Sequence, residues 1–164
     1  MTSANSPLLS FILLLGSGTL VAQEIHEVRP LDLGYGTEDY APVALDSGLV
    51  ICSIRETGAT IAFKDAETGK PLADLYWVSM KDGGAGVPVL FSANLTTPVN
   101  EGPAAFTGAG RTICYTRNQN LPKKLSNLRA NGHLGLYFAE LNGGNWSAPL
   151  PFAHNSSKYS TMHP

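Results

Sequence analysis

Asp46-Ser47-Gly48-Leu49-Val50-Ile51-Cys52-Ser53-Ile54-Arg55 decides the architecture, because the chain carries it twice. Shifted by 62 residues, this stretch falls on Gly108-Ala109-Gly110-Arg111-Thr112-Ile113-Cys114-Tyr115-Thr116-Arg117, and its Gly, Ile, Cys and Arg positions coincide. At a shift of 61, Leu75-Tyr76-Trp77 falls on Leu136-Tyr137-Phe138, Pro88 on Pro149, Phe91 on Phe152, Asn94 on Asn155 and Pro103 on Pro164. One repeat is therefore about 61 residues long, the signature of an architecture whose units bury their faces on one another.

Each repeat holds four strand-like runs with almost no apolar spacing at the helical period. In the first repeat they lie near Pro42–Leu45, Leu49–Ile54, Asp74–Ser79 and Val87–Phe91; in the second near Ala104–Thr107, Arg111–Thr116, Gly135–Glu140 and Ala148–Phe152. The turns Asp46-Ser47-Gly48 and Gly108-Ala109-Gly110 suit the positive φ of tight hairpins. Four antiparallel strands recurring as a unit match a β-propeller blade, whose sheet packs against neighbours on both faces. The expectation is an all-β chain of about two four-stranded blades plus partial blades of an incomplete propeller. The repeats cover about 37–98 and 99–160, with the start of a third at 161–164.

Both ends extend the pattern. Ile25–Arg29 aligns with Val87–Phe91, an outer strand, and Tyr159–Pro164 aligns with Pro98–Pro103, the lead-in to an inner strand. Propellers close with about four to eight blades. The sequence thus reads as the N-terminal part of a longer protein, with the remaining blades supplied by missing C-terminal sequence.

Four motifs carry a resemblance to a known family. Asn100–Phe106 looks like an inner strand, and the glycine turn with Thr112–Arg117 looks like a "Pro-Asp-Gly, aliphatic, Tyr-Phe-Ser" hairpin. Gly135-Leu136-Tyr137-Phe138 looks like an "Asp-Ile-Tyr" third strand, and Gly144-Asn145-Trp146-Ser147-Ala148-Pro149 like a "Gly-x-Trp-Ser-x-Pro" closing strand. In that order they resemble the TolB-like propeller repeats of periplasmic and outer-membrane-associated bacterial proteins, over about residues 25–164. The chain departs from the pattern at Gly108, where the hairpin Asp would stand, and at Cys52 and Cys114, where Phe is usual. The first repeat also has Gly86-Val87-Pro88 with no Trp, and the connections Glu56–Ala73 and Asn118–Leu134 are long for such blades.

The resemblance implies an exported, non-catalytic binding or scaffold module for protein or cell-envelope partners, in many relatives joined downstream to an OmpA-like peptidoglycan-binding domain. The alternative is the propeller portion of an exported hydrolase, a prolyl-oligopeptidase-like peptidase whose catalytic domain is not in this chain. A G-x-S-x-G elbow downstream would mark the peptidase, and an OmpA-like segment the scaffold. No cofactor is implied.

The N-terminus supports export. An apolar run from Leu8 to Leu15, a break at Gly16-Ser17-Gly18 and then Thr19–Gln23 read as a signal peptide over residues 1–22, cut after Ala22, although no Lys or Arg precedes Leu8. The run is too short to span a bilayer, and no transmembrane segment is expected elsewhere. Localisation is therefore expected in the periplasm, at the outer membrane or outside the cell.

Over 164 residues, 43% are hydrophobic and 15% charged, with two cysteines, which excludes a disordered chain, a coiled coil and a disulfide-dense miniprotein. The net charge of −2 favours no nucleic acid or anionic membrane. Residues 24–101 nevertheless carry 12 acids and 5 bases, against 1 acid and 6 bases in 102–164. Complementary faces or drift on solvated loops each account for that asymmetry.

Chemistry-bearing patterns are few. His26, His133, His154 and His163 show no metal-ligand spacing, and there is no nucleophile elbow or phosphate loop. Glu38, Asp39 and Glu101 are candidate channel-facing binding residues, since inner strands line a propeller's channel; solvated turn carboxylates are the ordinary reading. Cys52 and Cys114 occupy equivalent places in sheets about 10 Å apart. A disulfide needs Cα atoms within about 7 Å, so two free buried thiols are expected. Tyr76, Trp77, Tyr137, Phe138 and Trp146 read either as an aromatic binding face or as packing between blades, and Tyr76, Tyr137 and Trp146 are expected as structural repeat positions with the two cysteines.

Overall fold

A computed structural model of the chain describes residues 28–34, 38–55, 63–81, 83–121 and 132–164. Contacts divide the chain into Met1–Pro30 and Leu31–Pro164. In the first unit only Val28, Arg29 and Pro30 are described, all exposed and none in a strand. The signal peptide and residues 25–27 of the expected outer strand lie outside the described residues, and the rest of that strand, Val28 and Arg29, does not form.

The second unit is two antiparallel sheets, one per repeat. The first contains β1 (Glu38–Leu45), β2 (Gly48–Ile54), β3 (Asp74–Lys81), β4 (Gly84–Ala85) and β5 (Val89–Leu90). The second contains β6 (Glu101–Thr107), β7 (Thr112–Asn118), β8 (Leu134–Asn142), β9 (Asn145–Trp146) and β10 (Leu150–Pro151). In each, three long strands form a meander, and the third pairs with two short ones: β3 with β4 and β5, β8 with β9 and β10. The fold is thus all-β, with two blade-like sheets in a partial propeller arrangement.

The period survives in the hydrogen bonds. Phe91 N–H donates to Leu75 O at 2.9 Å and Phe152 N–H to Leu136 O at 2.9 Å. Gly86 N–H donates to Ser79 O at 2.8 Å and Ser147 N–H to Glu140 O at 2.9 Å. It survives also in the backbone: Ala41, Gly102 and His163 have φ of 50°, 97° and 62°, and each precedes a proline. Register shifts between Tyr40 and Val43 and between Glu101 and Ala104 accompany the first two. Proline has no N–H for the ladder, so the strand bulges around it. This is why β1 and β6 begin ahead of the runs expected from Pro42 and Ala104.

The hairpin turns take positive φ as expected: Asp46 has 47° in the turn joining β1 to β2, and Gly108, Ala109 and Gly110 have 60°, 55° and 80° in the turn joining β6 to β7. Gly48 is needed for space: a Cβ there would lie 2.4 Å from Val78 O and 2.9 Å from Trp77 Nε1.

Burial shows how the sheets stack. β2 is buried at nearly every position, as a strand covered on both faces must be, whereas β8 alternates buried and accessible residues over much of its length. Val50, Cys52 and Leu75 of the first sheet form one core with Ile113, Tyr115, Tyr137, Ala139 and Trp146 of the second. On the opposite face of the first sheet, Ile51, Tyr76 and Val78 pack with Leu33, Leu49, Met80 and Ala85.

Candidate functional site

Translating the repeat onto this stacking defines a surface. Val50, Cys52, Leu75 and Trp77 line the face that carries the second sheet, and their repeat equivalents are Thr112, Cys114, Leu136 and Phe138. These sit on the opposite side of the second sheet from Ile113 and Tyr115, because side chains alternate along β7. None belongs to the core shared by the sheets. Phe138 is 36% exposed, and Leu150, its partner on β10, is 68% exposed. The Phe152 ring stands 6.0 Å from that of Phe138. An apolar face of the same make is therefore covered in the first sheet and accessible in the second.

A second feature lies between the sheets at their hairpin end. Trp77, Phe91, Leu141, Trp146, Val89 and Leu90 surround a cavity of about 380 Å³, with Asp46 and Ser47 at its lip. Trp146 is buried against Phe91 and Phe106, with ring centroids 5.7 and 6.1 Å away, so it acts as packing between sheets. Trp77 is half-buried and contributes to the cavity wall.

Tyr76 and Tyr137 are buried repeat equivalents, and each carries an arginine over its ring. Arg55 lies 5.2 Å from the Tyr76 centroid and Arg117 lies 3.8 Å from that of Tyr137. This Tyr-Arg stack belongs to both blades and was not read from the sequence, although the coincidence of Arg55 with Arg117 was its signal. Burial pushes the Tyr76 hydroxyl up to about 12, against the pull of Arg55.

The three carboxylates expected to face a channel have different surroundings. Glu38 is exposed, with Oε1 3.4 Å from Lys70 Nζ. Asp39 Oδ1 accepts from Arg55 Nη2 at 2.6 Å, while Arg55 Nε donates to Ser53 Oγ at 2.6 Å. Glu101 is 1% exposed, so it is not a solvated turn carboxylate. Its Oε1 accepts from the Thr97 hydroxyl and from Thr97 N–H, the latter at 3.1 Å. Its carboxyl lies within hydrogen-bond reach of Asp74, which sequence reasoning passed over as an ordinary strand residue.

Both cysteines are free, Cys52 buried and Cys114 half-buried. Desolvation raises the Cys52 thiol to about 12 and raises Cys114 as well. Among the described residues no group of three or more His, Cys, Asp or Glu is placed to hold a metal ion, and no helix is long and apolar enough to cross a membrane. Comparison with family models, curated proteins and solved structures finds no match to this chain.

Proposed function

We propose that this chain is the blade-bearing part of an exported, non-catalytic scaffold that binds a protein or cell-envelope partner, in the manner of TolB-like propellers. One observation carries the reading: the accessible face of Cys114, Leu136, Phe138 and Leu150 repeats the face that the first sheet uses to hold the second. Contiguous exposed apolar surface of this kind marks a contact with another macromolecule. The leader read from residues 1–22 supports export, to the periplasm, the outer membrane or the outside of the cell.

A photo-crosslinking residue at position 138, in protein expressed from Met1, tests the reading. The expected product is a discrete adduct with an envelope protein or with further blades of the same polypeptide, absent when the crosslinker stands at exposed Lys81. Equal labelling at both positions, or retention of the product in the cytoplasm with Met1 intact, would overturn it.

A further inference from the structure

Asp74 opens β3 in the first sheet and Glu101 opens β6 in the second, where the sheets are tied by backbone. Glu101 N–H donates to Ala73 O at 2.8 Å, and Ala73 N–H donates to Asn100 Oδ1 at 2.8 Å. The two carboxyl groups meet at this junction, yet Asp74 Oδ1 and Glu101 Oε2 are both buried with no donor. An ionised carboxylate accepts hydrogen bonds and donates none. Two ionised carboxylates in contact can offer each other no donor, whereas a proton on one of them supplies a donor to the pair.

The charges around the pair point the same way. From the segment before β6, Thr97 donates its neutral hydroxyl to Glu101, while Thr96, beside Asp74, donates its own to Ser92 O at 3.1 Å. β7 contributes Tyr115 and the guanidinium of Arg117, which acts on Glu101. On β3, Tyr76 feels the Asp74 charge and lies under Arg55, whose guanidinium is held by Asp39. One cation, Arg117, thus acts directly on a site of two carboxyl groups, which balances one negative charge and leaves the second group to keep its proton.

We propose that Asp74 and Glu101 share a single proton, and that this proton is a pH-sensitive latch holding the first strand of the second sheet against the first sheet. Desolvation moves both groups in the required direction: it raises Asp74, and it raises Glu101 well above the usual carboxylate range, reinforced by the Asp74 charge. The unfolded chain releases these protons near the ordinary value of about 4. Between that value and the raised one the folded state holds an extra proton, so the latch is complete in acid and weakens as pH rises through the folded value. Loss of the proton leaves two buried carboxylates repelling one another across the junction of the sheets.

Two measurements on the full chain test this: the side-chain carboxyl ¹³C shift of Glu101, and denaturant unfolding of the wild type and Glu101→Gln, both from about pH 4 to 8. The wild-type unfolding constant is expected to rise with pH by up to about tenfold per unit within the window. Glu101→Gln, whose amide donates to Asp74 without titrating, is expected to lose that dependence. A Glu101 resonance that titrates like a free glutamate, or a Gln variant with the wild-type slope, overturns the latch. Should the variant not fold, the wild-type resonance decides alone: a proton held above the free-glutamate range supports the latch, and ordinary titration refutes it.

Discussion

Replacing Gly102 with alanine probes the contact between the sheets at its tightest point. The added Cβ would stand 2.2 Å from Cys52 Sγ and 3.1 Å from Leu75 Cδ2, on a backbone whose φ is 97°. Holding a non-glycine residue in such a conformation costs about 1–3 kcal/mol. Forcing a methyl group into a filled core costs about 1–3 kcal/mol more. Gly102→Ala should therefore destabilise by roughly 2–6 kcal/mol, a large share of a typical domain's 5–15 kcal/mol. The two parts separate experimentally. In a Cys52→Ala background the sulfur is gone, so the crowding part, about 1–3 kcal/mol, should be relieved while the backbone part remains. Gly144→Ala provides the control, because its φ is 83° and a Cβ there meets nothing within 4 Å; it should show the backbone cost alone. Urea unfolding of the four variants completes the cycle. A Gly102→Ala protein within about 0.5 kcal/mol of wild type, or one equally destabilised with and without Cys52, would refute the reasoning.

Other positions give sharper or simpler outcomes. Trp146→Ala, which empties the space between Phe91 and Phe106, should cost about 3–5 kcal/mol in the same unfolding assay. Gly48→Ala should destabilise although residue 48 needs no positive φ, because its Cβ would meet the carbonyl of Val78; tolerance of alanine at this position would show that space is not the reason for glycine. Phe138→Asp should leave stability within about 1 kcal/mol of wild type while reducing self-association seen by sedimentation, since the ring it removes lies on the accessible face. Protein exported from cells should begin at Gln23, which N-terminal sequencing reads directly.

The repeat was legible because it is written in residues that a blade cannot do without. Ile51 and Ile113, Tyr76 and Tyr137, and the hairpin glycines Gly48 and Gly110 recur at fixed spacing, and the four long runs of strand fell within a few residues of β2, β3, β7 and β8. The expected runs from Pro42 and Ala104 open later than β1 and β6 do, because proline lacks a ladder N–H and the bulges that carry the chain past Pro42 and Pro103 are tertiary features. The role of Gly48 was missed because the groups that crowd it, Val78 O and the Trp77 ring on β3, lie 30 and 29 residues away in sequence and their approach is tertiary. The candidate site divides similarly. Glu101 stood out as a carboxylate, but its partner Asp74 comes from the other sheet, and no local pattern marks two acids that meet through stacking. The Arg55–Tyr76 and Arg117–Tyr137 stacks were half visible, since both members of each pair recur in the repeat.

Competitive alkylation of the two cysteines under native conditions tests the central claim, that one face is covered and its repeat equivalent is open. The residues are the same chemically, stand at the same place in their sheets, and differ in whether another sheet lies over them. Mass spectrometry after a short pulse of iodoacetamide should find Cys114 modified and Cys52 untouched, with Cys52 reacting only once denaturant unfolds the chain. Equal rates at the two sites, or faster reaction at Cys52, would contradict the stacking and with it the assignment of the Phe138 face as the surface that meets a partner.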